Sequence, residues 1–203
     1  MPRVGLNRAA VVSAAIELVD DGGANGFADL TLAALASRLG IAVPSLYKHV
    51  ASLADLRREV EIMCVDQLTE VISRASTGLA GRDAIRGMAQ AIREFAHRYP
   101  ARYSATQVAP RRDDPIDDDL AAAGERTIDV MSAVLRGFDL PPALTIDAIR
   151  VIRSSLHGFV VLELGGGFGL PDDLDHSFAL LVDMVTVGIE RISAETPGPG
   201  AVP

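Results

Sequence analysis

Apolar residues recur along this chain at intervals of three and four over most of its length, the spacing that lines one face of a helix. Asn7 can cap a first helix reaching about Asp21, with Ala10, Val11, Ala14, Ala15, Leu18 and Val19 on its apolar side and Gly22-Gly23 stopping it. Thr31 is placed to cap a second helix whose apolar positions are Leu32, Leu35, Ala36 and Leu39. Gly40 follows where the chain must turn through left-handed backbone, and Ile41 is a plug between this helix and the next. Pro44 suits the first turn of a third helix, where its missing N–H costs nothing, and Leu46 and Val50 point inward. Phe27, in the linker before Thr31, is expected to fold back under these helices.

The same reading continues downstream. Ser52 caps a long fourth helix through Leu56, Val60, Met63, Cys64, Leu68, Val71 and Ile72, and Asp83 caps a fifth running to Tyr99 and closed by Pro100. A short helix over 101–108, a charged loop over 109–115 and a helix from Ile116 to Phe138 follow. Thr145 is expected to cap the next helix, and Asp172 or Asp173 the last, which ends near Ile192. The tail from Thr196, Pro-Gly-Pro-Gly-Ala-Val-Pro after it, cannot continue a helix and is expected to be disordered. Few segments alternate with the period of a strand, so the class is all-α. The predicted organisation is a three-helix head over 1–51, a larger helical-bundle body over 52–195 and the tail 196–203.

Two short helices joined by a glycine turn make a helix-turn-helix, whose second helix can enter a DNA major groove, although any small helical hairpin shows part of this pattern. Composition limits the alternatives. Hydrophobic residues make up 49% of the chain, enough for a sizeable core, and tryptophan is absent. The net charge of −8 argues against nucleic acid wrapping the whole surface. Residues 1–50 balance Arg3, Arg8, Arg38 and Lys48 against Glu17, Asp20, Asp21 and Asp29, so the acidic excess lies later. That suits a protein touching DNA with one end, and ordinary charge scatter equally. Arg3, Arg8, Arg57 and Arg58 are candidates for phosphate contact or plain solvation.

A single cysteine, Cys64, excludes an intramolecular disulfide and a cysteine zinc cluster; its apolar setting reads as core, with redox sensing as the alternative. Asp172, Asp173, Asp175 and His176 read as a helix start rather than a metal site, and Asp113, Asp114, Asp117, Asp118 and Asp119 as a solvated loop and helix start. The glycines at 165–169 lack the lysine and strand of a phosphate loop. His97 and His157 have no partner at a catalytic spacing, so no enzyme, metal or cofactor is expected. The N-terminus has no signal pattern and no apolar run reaches the roughly 18 residues of a membrane span, which points to the cytoplasm.

The run Leu-Gly-Ile-x-x-Pro-Ser-Leu-Tyr-Lys-His-Val from Leu39 to Val50, followed by Leu53, Asp55 and Leu56, closely resembles the DNA-binding domain of the tetracycline-repressor (TetR) family. Leu53 stands where that family usually has lysine. The resemblance is strong over about the first sixty residues and looser beyond. It implies that Val43, Pro44 and Ser45 approach base edges, while Thr31, Tyr47, Lys48 and His49 hold phosphates. Arg153-Ser-Ser-Leu-His157-Gly158-Phe159 looks like a His-Gly C-terminal variant of the family, without its usual tryptophan.

The last two long helices are apolar on more than one face, notably at Leu156, Phe159, Val160, Leu181, Met184 and Val185. A central buried helix would show this pattern; a two-fold interface accounts for it better, and in the TetR family these helices pair between subunits. Met63, Gln67, Phe95, Tyr99, Tyr103, Gln107 and Met131 are candidate linings for a mostly apolar effector pocket, though each would also serve a plain core. The expectation is a homodimeric transcriptional regulator, a repressor of double-stranded operator DNA released by a small hydrophobic molecule. The alternative is a helical interaction module that has lost DNA binding.

Overall fold

Nine α-helices and three short 3-10 turns account for the regular structure of the described residues, 6–111 and 114–195, in the computed structural model. The helices are α1 (Arg8–Asp21), α2 (Leu32–Leu39), α3 (Val43–Leu46), α4 (Leu53–Ser76), α5 (Gly81–Arg98), α6 (Pro100–Ala105), α7 (Asp118–Leu135), α8 (Pro142–Leu164) and α9 (Leu174–Glu195). They divide into two compact units, Met1–Leu68 with Arg98–Gly124, and Thr69–His97 with Glu125–Pro203. Arg3, Arg112, Asp113 and the tail from Thr196 lie outside the described residues.

In the first unit the predicted caps form. Asn7 Oδ1 accepts from Ala10 N at 2.9 Å, Thr31 Oγ1 from Ala34 N at 3.2 Å and Ser52 Oγ from Asp55 N at 3.0 Å. Gly40 sits at φ 65°, in the left-handed region that ends α2 and redirects the chain into α3. Gly26 is needed for a different reason. A Cβ there would lie 1.9 Å from Val19 O, so only glycine lets the turn after α1 close against that helix. The core gathers Val11, Val12, Ala15, Ile16 and Val19 of α1 with Leu35, Leu46, Val50, Leu56 and Val60, and it also takes in Ala101 and Ala105 of α6. α1 contacts both α2 and α6, which is why Val12 and Ile16 are buried although they fall off the single apolar stripe read from the sequence. Phe27 packs against this core as expected.

In the second unit Ile85, Met88, Ala89, Ile92 and Ala96 of α5 are buried, as are Ile149, Ile152, Leu156 and Val160 of α8 and Phe178, Val182 and Ile189 of α9. Thr186 is also buried, its hydroxyl donating to Val182 O at 2.7 Å within α9. The expected cap at Thr145 is corrected. α8 starts at Pro142, because a proline at the first helical position has neither a donor to satisfy nor a helical φ to acquire, and Thr145 falls inside the helix. Pro100 likewise closes α5 and opens α6 directly. Asp173 does cap α9, accepting from Asp175 N at 2.9 Å and His176 N at 3.2 Å.

Candidate functional site

α3 is only four residues long and owes its position to its neighbours. Leu46 is fully buried and Val50 nearly so, while Ile41, half-buried, donates its N–H to Ala36 O at 3.0 Å across the turn. With those residues turned inward, Pro44 and Lys48 are exposed, Tyr47 is 56% exposed, and Val43, Ser45 and His49 are half-buried. Thr31, at the N-terminus of α2, is exposed even while its hydroxyl caps the helix.

Charge pairing isolates one cation on this head. Arg8 donates to Asp55 at 2.8 Å, to Glu59 at 2.6 Å and to His49 O at 3.0 Å. Asp55 closes the start of α4 by accepting Ala51 N at 2.7 Å, and Arg8 holds its carboxyl below the usual range. Arg38 pairs with Asp21 at 2.5 Å and Glu17 at 3.0 Å. Lys48, the single lysine of the sequence, is the one cation among described residues 6–56 outside these ion pairs.

The candidate phosphate contacts at Arg57 and Arg58 are not available. Arg57 lies 5.9 Å from the Phe27 ring centroid and donates to Ala28 O at 2.8 Å and Leu30 O at 3.2 Å. Arg58 binds Glu61 and, at 2.7 Å, Asp117. Asp117 is 1% exposed rather than solvated, and it also accepts from Arg111 N at 2.6 Å and Arg111 Nε at 3.1 Å. Arg111 first, then Arg58, holds its carboxyl at about 2, whereas burial pushes Glu61 up. The sequence hid this cluster because its members come from α4 and from a turn more than fifty residues later.

The seven candidate effector-lining residues divide between the units. Met63, Gln67, Tyr99, Tyr103 and Gln107 fall in the first, Phe95 and Met131 in the second. Within the first, Arg102 joins two of them: it donates to Gln67 Oε1 at 2.9 Å, lies 4.5 Å from the Tyr99 ring centroid, and bonds Asp20 of α1 at 2.8 Å through Nε. Gln107 Nε2 donates to Thr106 Oγ1 at 2.8 Å beside the buried Tyr103, and Met63 is exposed. Cys64 is fully buried, and burial pushes its thiol up to about 12, so it carries no thiolate at neutral pH.

In the second unit the candidate interface needs correcting. Leu156 and Val160 are buried in the unit's own core, on the inner faces of their helix, and therefore belong to no surface. Phe159, Leu181 and Val185 are half-buried, and Met184 is 66% exposed. The exposed large apolar positions of α8 are Ile146, Val151, Val161, Leu162 and Leu164, and those of α9 are Leu180, Met184, Val187 and Ile192. Open space lies where a Cβ would stand at Gly158 and Gly188.

Sequence reading also missed a buried ion pair. Arg93, 9% exposed, meets Glu163 through Nε at 2.9 Å and Nη2 at 2.5 Å, and Asp175 through Nη1 at 2.8 Å. His97 Nε2 shares Glu163 at 2.8 Å, and Arg93 keeps that carboxyl below its usual range. Phe178 and Phe159 stand 4.8 and 5.9 Å from the guanidinium, and Phe159 contacts Phe168 at 4.8 Å between ring centroids. His157 is half-buried, and burial lowers its pKa.

An all-helical chain with a capped helix-turn-helix and an exposed third-helix edge defines a DNA-binding regulator. Residues 85–185 match the family described as "Tetracyclin repressor-like, C-terminal domain". An uncharacterized HTH-type transcriptional regulator of Mycobacterium tuberculosis, Rv0681, is 39% identical over 92% of this chain and 83% of its own length. YobS of Bacillus subtilis, likewise an uncharacterized HTH-type transcriptional regulator, is 28% identical over 93% of this chain and 95% of its own. A TetR variant from Acinetobacter baumannii AYE, solved in complex with minocycline, has the same fold, with a TM-score of 0.65 and 21% identity over 93% of this chain and 98% of that one. The chain belongs to the TetR family of transcriptional regulators. Among the described residues no helix is long and apolar enough to cross a membrane.

Proposed function

We propose that the protein is a homodimeric repressor, acting in the cytoplasm and released from its operator by a small, mainly apolar effector. The observation carrying this reading is the outward edge of α3, where Lys48 stands as the unpaired cation beside exposed Pro44 and Tyr47. Val43, Pro44 and Ser45 read base edges, where apolar groups meet thymine methyls and a hydroxyl can hydrogen-bond. Thr31, Tyr47, Lys48 and His49 hold phosphates on either side. The exposed apolar stripes of α8 and α9 form the two-fold interface, which sets two heads roughly 34–36 Å apart on a palindromic site.

Effector control uses α4, a continuous 24-residue helix with its first part in one compact unit and its last part in the other. A molecule that binds the body better when α4 is displaced lowers operator affinity by the same differential free energy. The minocycline held by the Acinetobacter protein supports a small-molecule effector for this chain too. Fluorescence anisotropy with DNA from upstream of the protein's own gene tests the reading. Lys48→Ala should weaken binding to all sequences alike and reduce the salt slope by about 1. A sequence-selective loss moves Lys48 to base readout, and no binding to any upstream fragment favours an interaction module that has lost DNA.

A further inference from the structure

A cleft of about 310 Å³ opens in the second unit between α5 and α9, with Arg86, Gln90 and Arg93 on one side and Phe178, Ala179 and Val182 on the other. This is the lower end of the size range of small-ligand sites, and donors facing an apolar wall is their usual make-up. The residues recur at one-face helical spacing on both helices, so the two walls follow directly from helix geometry.

Arg93 is prepared for an anion. Its Nε and Nη2 are fixed by the carboxylate of Glu163 and its plane is flanked by Phe178 and Phe159, which leaves Nη1 aimed at the cleft edge. Nη1 is held by Asp175 at 2.8 Å, yet the Asp175 side chain is 85% exposed. Arg86 is exposed and makes only long contacts, 3.2 Å to Asp183 and 3.4 Å to Asp83. Exposed pairs of this kind contribute little and exchange readily. The two arginines are already outnumbered by Glu163, Asp183 and Asp83, so a dianion is repelled more strongly than a monoanion.

We propose that this cleft binds a small monocarboxylic acid with a compact apolar body. The acid's carboxylate replaces that of Asp175 on Arg93 Nη1 and reaches Arg86, and its apolar body rests on Phe178 and Val182. The exchange gives Arg93 Nη1 a new carboxylate partner in place of Asp175 and returns Asp175 to water in the first turn of α9, where an acidic residue remains favourable. The site shares no residue with the candidate lining at Met63, Gln67, Phe95, Tyr99, Tyr103, Gln107 and Met131, and binding here does not depend on whether the head releases DNA.

Calorimetric titration of the full chain, without DNA and at constant ionic strength, tests the assignment with benzoate, its uncharged match benzamide, and inorganic phosphate. Benzoate should saturate, with benzamide weaker by roughly tenfold or more for loss of the charge-assisted hydrogen bond. Phosphate should not compete. Asp175→Asn removes the resident competitor and should tighten benzoate roughly two- to fivefold. Ala179→Phe, at an exposed position, should fill the cleft and abolish binding while leaving the melting temperature in place. No saturation at millimolar benzoate, equal binding of benzamide, or Asp175→Asn binding no tighter than the unaltered chain each overturns the proposal. Arg93 is left intact, because its loss would strand Glu163 without its main partner.

Discussion

Arg8 and Arg38 in the first unit and Arg82, Arg86 and Arg93 in the second are all ion-paired, yet the pairings leave opposite surfaces behind. On the head, Asp55, Glu59, Asp21 and Glu17 neutralise the arginines beside the helix-turn-helix, so the cation left outside these ion pairs among described residues 6–56 is Lys48, just after α3. In the second unit, Glu190, Asp183 and Glu163 tie α5 to α9 and α8, and the outward faces of those two helices are left apolar. A protein with a net charge of −8 can therefore still leave an exposed cationic point on its first unit and an apolar stripe on its second. Charge pairing decides where each surface lies.

The comparison can be broken most forcefully at Leu46. Its side chain is the buried anchor of a four-residue helix, so Leu46→Ala should cost about 4 kcal/mol in urea unfolding and abolish operator binding near physiological temperature. A loss below about 1 kcal/mol would mean that the turn alone holds α3. Glu163→Gln comes next. It removes the inner partner of a buried arginine, and the expected cost is about 3 kcal/mol, with operator affinity of the folded protein unchanged. A change in DNA binding instead would tie the two ion-pair systems together.

Acid sharpens the contrast. Arg8 and Arg111 depress the carboxyl pKa values of Asp55 and Asp117, so between about pH 4 and about pH 2 the unfolded chain binds more protons than the folded one. Their stabilisation is complete above that window and is lost as the pH falls through it. Glu61 acts oppositely, because burial raises its pKa and its protonation on acidification relieves a cost. Urea midpoints measured from pH 7 to pH 2 should fall mainly below pH 4, and less steeply for Asp117→Asn; an unchanged slope in that variant removes Asp117 from the account. The smallest effect on folding is expected at Met184. Met184→Glu should alter chain stability by no more than about 0.5 kcal/mol while shifting sedimentation from dimer to monomer. A dimer that survives the charge places the interface elsewhere.

Much of the head was legible because its signals are local. Asn7, Thr31, Ser52 and Gly40 each act on backbone groups within a few residues, so their caps and turn follow from residue type and position. Pro142 is as local a signal, but Thr145 competed with it for the same helix start. The candidate site was legible only as far as that local order carried. Arg57 and Arg58 looked like phosphate ligands in a row of letters, and long-range partners removed them. Leu156 and Val160 likewise carried the right hydrophobicity for an interface, but which side of α8 faces inward depends on what packs against it.

The sequence by itself determined the helical class, the helix-turn-helix and the presence of Lys48 at its edge, since periodicity, caps and a left-handed glycine are properties of neighbouring residues. The tertiary structure decided that Lys48 would be the cation outside the head's ion pairs among described residues 6–56, that Asp117 would be buried, and that Val161, Leu162 and Met184 rather than Leu156 and Val160 would meet the outside. Those outcomes depend on side-chain pairs brought together from as few as 17 to as many as 108 residues apart, and one-face periodicity carries no information about the partner.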